Sequence, residues 1–135
     1  MTEDVIIKSK ELFYRGKSLD SLKSLDVREL AKFLPSRSRR SILRNFQKLE
    51  QFVKRCEEKF AKKKKIKTHL RDLVIVPNLV GMTIGIYSGK EFNDVSITHK
   101  MIGHRLGEFS LTRQKVQHGS PGIGSTKSSA GAQKK

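Results

Sequence analysis

The apolar residues of the chain repeat with two different periods. Between Ile42 and Phe60 they follow one another at steps of four and three residues, which places them on one face of a helix. From Leu73 to Ile97 they form short runs or alternate with polar residues, as they do in strands. The change of period predicts an α+β fold. In it, a helical N-terminal segment packs beside a small three-stranded sheet, which a short helix and an extended basic tail follow.

Three helices are predicted before the change of period. The first follows Ser18, a typical helix cap, and the second begins at Asp26, whose side chain can form a capping box with Glu29. Pro35 ends the second helix, because proline cannot continue the helical hydrogen-bond ladder. The third is expected to be one continuous helix over residues 37–62, with its apolar stripe in the core.

Three strands are predicted after the change of period, at residues 73–76, 82–87 and 92–97. A break in the alternation near Asn93 predicts a β-bulge in the third strand. Thr98 then caps a short helix that Gly103 ends. The side chains expected in the core are Phe46, Leu49, Val53, Val74, Val76, Ile84, Ile86 and Ile97.

The charge is as uneven as the hydrophobic pattern. The chain has 29 basic and 13 acidic residues, a net charge of +16, and residues 31–71 hold fifteen of the basic residues and only three acidic ones. Residues 72–94 are slightly acidic, with one basic and three acidic residues. Like charges repel in a folded chain, so this imbalance favours a polyanionic partner, and nucleic acid is a better candidate than an anionic membrane.

The boundaries follow the same changes in composition. We expect a basic helical N-terminal extension at residues 1–66, an α+β core at 67–118 that binds nucleic acid, and a flexible tail rich in glycine, serine and lysine at 119–135. No run approaches the ~18 apolar residues that span a bilayer, and the acidic N-terminus is unlike a secretory signal. A cytoplasmic protein is therefore expected.

Several classes of site are disfavoured. Cys56 is the only cysteine, so an internal disulfide and a zinc site of several cysteines are excluded. The histidines are spaced too irregularly for a helical metal pair. Glu108 is the only acidic residue after Asp94, which leaves general acid–base chemistry without partners. The sequence thus predicts neither an enzyme nor a metal or cofactor site.

The candidate nucleic-acid contacts lie on two separated basic surfaces that do not include the sheet. The first is centred on the arginines of residues 37–44 and the lysines of residues 62–67. The arginines begin a helix, where the macrodipole disfavours cations, so an anion there is expected. The second is centred on His104 and Arg105, whose neighbouring glycines allow close approach of a ligand. The full set of candidate residues is Arg37, Arg39, Arg40, Arg44, Lys48, Lys62, Lys63, Lys64, Lys65, Lys67, Arg71, Lys100, His104, Arg105, Arg113, Lys115, His118 and Lys127.

A helix-turn-helix DNA-binding protein is the alternative. The pattern is that of two helices, the second of which would be a recognition helix. These are residues 27–34 and the basic residues 37–48, with a Pro-Ser break between them. The strands and the basic tail have no function in that interpretation.

Several collinear motifs resemble one known family. The segment MIGHRLGEF (101–109), together with KTHLRD (67–72), VPNLVG (76–81) and YSGKEFN (87–93), resembles the universal small-subunit ribosomal protein S-nineteen family. Segments at 14–19, 36–44 and 118–129 are similar to its archaeal and eukaryotic branch.

The resemblance implies a structural protein in the head of the small ribosomal subunit. It implies contact with the ribosomal RNA of the head and with a neighbour of the S-thirteen family. It also implies a tail that points toward the decoding region, close to tRNA or mRNA.

Overall fold

The computed structural model describes residues 13–115, with helices in its first half and a sheet in its second. A short hairpin of β1 (Phe13–Tyr14) and β2 (Lys17–Ser18) leads into four helices, which are α1 (Leu19–Lys23), α2 (Val27–Leu30), α3 (Ser36–Arg44) and α4 (Phe46–Ala61). The strands β3 (Ile66–Thr68), β4 (Thr83–Tyr87) and β5 (Phe92–Ser96) follow. Single 3-10 turns lie at Ala31–Phe33, Pro77–Leu79, His99–Met101 and Leu106–Phe109. The α+β prediction is confirmed.

The predicted long helix is broken in two. Asn45 leaves the helical conformation at φ −110° and ψ 26°, so α3 and α4 are separate helices and one continuous helix is wrong. Asparagine is a weak residue inside helices and a favourable one at their start, which explains why the break falls there. The predicted capping box is also wrong, since the side chain of Asp26 makes no capping hydrogen bond. Ser18 does cap α1, where its Oγ accepts from the Ser21 N–H at 3.4 Å.

The break changes which aromatic side chains enter the core. Phe46 begins α4 and is only half-buried, with the guanidinium of Arg28 4.7 Å from its ring centroid. Phe60, at the other end of the stripe, is 55% exposed, whereas Phe52, outside the predicted stripe, is buried. The prediction that Phe46 lies in the core is therefore wrong, because the stripe does not run straight through Asn45.

The sheet has three strands in the order β3-β4-β5. β3 runs parallel to β4 with Ile66 opposite Ile84, and β5 runs antiparallel to β4 with Val95 opposite Ile84. The pairing of β4 with β5 continues without interruption from Thr83↔Ser96 to Tyr87↔Phe92, so the predicted bulge is wrong. Every second side chain of a strand faces the same side, and this places Ile84 and Ile86 against the helices with no exposed surface.

The apolar run at residues 73–76 is buried but is not a strand of the sheet. It lies antiparallel to residues 103–107, to which it is joined by an isolated bridge between Val74 and Arg105. The Ile75 N–H donates to the His104 carbonyl at 2.8 Å, and the Leu106 N–H donates to the Leu73 carbonyl at 3.0 Å. β3 occupies the position in the sheet that was predicted for this run.

One hydrophobic cluster joins the helices, the inner face of the sheet, the run at 73–76 and Leu106. Seven of the eight side chains predicted in the core are buried there, which leaves Phe46 as the exception. Within residues 13–115, no helix is both long and apolar enough to cross a bilayer.

Candidate nucleic-acid interface

The segment Gly103–Gly107, termed here the signature loop, is held against the core by its backbone. Gly103 adopts a φ of +85°, a conformation that side chains with a Cβ rarely adopt. A Cβ at this position would also lie 3.0 Å from the hydroxyl of Tyr14 and 3.3 Å from Leu34. The loop therefore needs glycine where the N-terminal hairpin and the helices press against it.

Glu108 binds the backbone of Arg105 and the side chain of His104. Its Oε1 accepts from the Arg105 backbone N–H at 3.1 Å, and its Oε2 accepts from His104 Nδ1 at 2.8 Å. The His104 ring meets the ring of Phe109 edge-on, at a centroid distance of 6.0 Å. The hydrogen bond from Arg105, and then that from His104, lower the pKa of the Glu108 carboxyl. The carboxylate thus orients an exposed imidazole rather than acting as an acid.

The lowered pKa predicts an acid-sensitive contribution to stability. A carboxyl with a lower pKa in the folded state stabilises the fold above its unfolded pKa, near 4.5, and this stabilisation is lost as the pH falls through the folded pKa. Glu108→Gln keeps the shape and removes this titration. We expect the difference in urea midpoint between the wild type and Glu108→Gln to shrink between pH 5 and pH 3. Glu50→Gln on α4, which breaks an exposed pair with Lys54, is the matched control. A Glu108→Gln difference that does not change with pH would contradict the assignment.

Helix α3 lies directly against the signature loop. Ser38 Oγ donates to the Gly103 carbonyl at 2.7 Å, and Arg105 Nη2 donates to Ser41 Oγ at 2.9 Å. The arginines of α3 at positions 37, 40 and 44 are exposed and, at helical spacing, form a stripe beside Ser41. The α3 arginines and the loop are therefore neighbours, and the expectation of two separated surfaces is wrong here. We term this combined region the seam surface: Arg37, Arg40, Arg44, His104 and Arg105.

The lysine run lies at the other end of α4. This helix has sixteen residues and is therefore roughly 24 Å long, which separates Lys62 to Lys65 from α3. The run is an ordered turn, in which Lys63 has a φ of +51° and the Lys64 N–H donates to the Lys59 carbonyl at 2.9 Å. The side chains of Lys62, Lys63, Lys64, Lys65 and Lys67 are all exposed.

Besides Arg105, two of the candidate arginines use their donors inside the protein. Arg71 donates to the carbonyls of Tyr87, Gly107 and Ser110, the last two at 2.9 and 2.5 Å. Arg39 donates to the carbonyls of Ala31 and Lys32, both at 3.1 Å, at the end of the preceding helical turns. These guanidinium groups stabilise the fold, and their contact with RNA stays a prediction.

The remaining candidates are dispersed. Lys48, Lys100, Arg113 and Lys115 are exposed, and His118 and Lys127 lie outside the residues that the structure describes. Over residues 13–115, no three histidine, cysteine, aspartate or glutamate side chains come together as a metal site. Burial raises the pKa of the Cys56 thiol to about 11, which keeps it protonated at neutral pH.

Sequence reasoning missed an aromatic cluster on the outer face of the sheet. The rings of His69 and Tyr87 have centroids 4.5 Å apart, and each lies 5.1 Å from the ring of Phe92. Lys67 Nζ lies 5.1 Å from the centroid of Phe92. Tyr87 and Phe92 are paired across the hairpin, so the alternation of β4 and β5 carried a signal for part of this cluster. The position of His69 depends on β3, which the pattern did not predict.

Comparison with known proteins points to one family. The family model described as ribosomal protein S19 matches residues 29–118, well over half of the chain. The small ribosomal subunit protein uS19 of Halorubrum lacusprofundi is 48% identical over 126 residues, which cover 90% of this chain and 89% of that protein. The small ribosomal subunit protein uS19 of Saccharolobus solfataricus is 45% identical over 124 residues, 89% of each chain.

The matched region contains α3, the sheet and the signature loop, the elements that make up the seam surface and the aromatic cluster. Both relatives match along nearly their whole length, so the likeness extends well beyond a shared motif. The chain belongs to the ribosomal protein S19 family, and its role is that of a non-enzymatic structural protein of the small ribosomal subunit.

Proposed function

We propose that the chain binds the ribosomal RNA of the small-subunit head through the seam surface and, at a second place, through the lysine run at residues 62–65. The observation that carries the proposal is the contact between α3 and the signature loop. Ser38 and Ser41 hold the loop against α3, which brings the arginine stripe close to the oriented His104. Phosphate contacts of this kind supply most of the affinity for nucleic acid and set the position of the protein on it.

The charge of the surface fits a phosphate backbone. In α3, four arginines occur within nine residues and no acidic residue accompanies them. Arg39 is bonded to backbone carbonyls, which leaves Arg37, Arg40 and Arg44 as the phosphate donors of this helix. Guanidinium groups bind phosphate with two parallel hydrogen bonds, so three of them can follow a folded backbone.

The proposal extends to the neighbours implied by the family resemblance. We infer that a protein of the S-thirteen family packs against the chain in the subunit head. Leu43 is 52% exposed and Phe60 is 55% exposed, and such apolar side chains are suited to a protein neighbour. We also infer that the basic tail, which lies outside the described residues, extends toward the decoding region and its tRNA or mRNA.

The salt dependence of RNA binding tests the seam surface. Arg37→Gln, Arg40→Gln and Arg44→Gln should each weaken binding to in vitro transcribed head RNA and flatten the plot of log affinity against log salt by about 0.7–0.9 per lost phosphate contact. Lys90→Gln, in the exposed turn between β4 and β5, is the control and should leave the slope unchanged. A slope that responds to Lys90 and not to the three arginines would overturn the seam surface. A wild-type protein that binds head RNA no better than an unrelated RNA at equal salt would overturn the function.

A further inference from the structure

The outer face of the sheet carries an exposed group of aromatic rings that core packing does not require. His69 is exposed, and Tyr87 and Phe92 are half-buried beside it. The hydrophobic core is on the opposite face, where Ile84 and Ile86 are fully buried. Along the same outer face Thr83, Asp94 and Ser96 are exposed to solvent.

The exposed His69 ring is in contact with both of the other rings. Tyr87 lies tilted at 47° to the His69 ring, and Phe92 meets that ring edge-on at 80°. The Tyr87 hydroxyl donates to the Gly89 carbonyl at 2.7 Å, which fixes the ring that lies closest to His69. Edge-on and tilted contacts of this kind are the favourable arrangements of aromatic rings, so His69 is positioned before any ligand arrives.

A basic groove lies beside the same histidine. The groove has a volume of about 420 Å³ and runs between α4 and β3. Its apolar wall includes Phe52 and Ile66, and its basic groups are Arg55, Lys59 and Lys67. His69 and Lys67 line the groove and also belong to the outer face of the sheet. The exposed ring of His69 therefore lies next to these three basic groups, at the edge strand β3.

We propose that this junction binds an unpaired nucleotide of ribosomal RNA, with its base stacked on the exposed ring of His69 and an adjoining phosphate in the groove beside Arg55 and Lys59. The inference rests on the proposed function and adds to it a site that reads single-stranded rather than helical RNA. Bases stack on aromatic side chains wherever they are splayed out of a helix, and neighbouring cations hold the backbone.

The expectation that the sheet does not contact RNA rested on the slight negative charge of residues 72–94. Stacking of a base on a ring does not depend on net charge, so the aromatic cluster can bind a base despite the acidic residues of this segment. The cations of the junction come from α4 and β3, outside the acidic segment. An acidic protein could use the cations, but it would not require a pre-positioned exposed ring beside them, and this favours a nucleotide.

Substitution of His69 separates stacking from charge. His69→Leu should weaken binding to head RNA roughly 5- to 150-fold at every salt concentration, with no change in the salt slope, because a stacked base releases no counterions. The tryptophan of His69→Trp has no charge at any pH but can stack on a base, so this variant should bind head RNA as tightly as the wild type. Arg55→Gln with Lys59→Gln should instead flatten the slope. Phe13→Leu, which alters an exposed ring in the N-terminal hairpin, is the matched control and should have no effect.

A second probe tests the preference for unpaired bases. His69→Leu should weaken binding to single-stranded oligoadenylate and leave binding to a duplex of the same length unchanged. The His69 side chain is exposed, so thermal melting should show the variant as stable as the wild type.

Three results would overturn the proposal. The first is an affinity of His69→Leu within twofold of the wild type on both head RNA and oligoadenylate. The second is a failure of tryptophan to restore binding. The third is that His69→Leu loses binding to a purified S-thirteen-family protein while its RNA affinity is unchanged. This result would make the junction a protein interface. Wild-type binding to head RNA is the shared reference: if it is absent the proposed function itself fails, and if it is present these results bear on the junction alone.

Discussion

Truncation of Ile86 to alanine is expected to lower the free energy of unfolding by about 2–5 kcal/mol. Ile86 lies in β4, the central strand of the sheet, with Thr68 opposite on one side and Asn93 on the other. It has no exposed surface, so neighbouring side chains contact it on every side. The central strand is paired along both edges and cannot move to fill a cavity, which places the expected loss toward the upper end of that range.

The measurement is the urea midpoint at fixed salt, since the charge of the chain makes its stability depend on ionic strength. Thr83→Ala is the matched control, because Thr83 lies in the same strand and its side chain is exposed on the outer face. Equal midpoints for the two variants would show that Ile86 does not face the core.

Replacement of Arg71 by methionine is expected to lower the free energy of unfolding by about 2–4 kcal/mol. Hydrogen bonds from a charged donor are strong, and the acceptors would be left without a partner in a partly buried site. The guanidinium joins three segments, the end of β4 at Tyr87, the signature loop at Gly107 and the following residue Ser110. The Gly107 N–H donates back to the Arg71 carbonyl at 2.8 Å. A Cβ at position 107 would lie 3.0 Å from that carbonyl oxygen, so any other residue would force these two segments slightly apart.

The Arg71→Met variant is best compared with Arg40→Met, which removes an exposed guanidinium from α3. We expect Arg40→Met to leave the melting temperature nearly unchanged and to weaken RNA binding. We expect Arg71→Met to lower the melting temperature and to leave the RNA affinity of the folded fraction unchanged. A stable Arg71→Met protein with weakened RNA binding would assign Arg71 to the interface instead.

These contacts explain why motifs far apart in the sequence belong together. KTHLRD contributes the Arg71 guanidinium, YSGKEFN contributes the Tyr87 carbonyl, and GHRLGEF contributes the carbonyl of Gly107. SRSRRSILR contributes the two serines that hold the loop. Most of the motifs that carry the family resemblance are therefore joined by hydrogen bonds around the signature loop.

Local patterns determined much of this protein. The helical spacing of apolar residues predicted helices before residue 62, and the alternation of Ile84 and Ile86 predicted the buried face of the central strand. Gly103 was expected to end a short helix, and it has the positive φ that is common just after a helix. The one-sided charge predicted a polyanionic partner. All of these depend on a residue and its near neighbours, which a single sequence contains.

The tertiary structure decided the rest. The run at 73–76 could pair with the sheet or with the signature loop, and only the position of β3 settled that choice, because an apolar run does not specify its partner. Arg71 and Arg39 looked like Arg40 in the sequence, yet their donors are taken by carbonyls that the fold brings near. The cluster of His69, Tyr87 and Phe92 likewise depends on a parallel strand pair that joins segments about twenty residues apart. Partners at such distances along the chain meet only through the fold, so no local period could have assigned them.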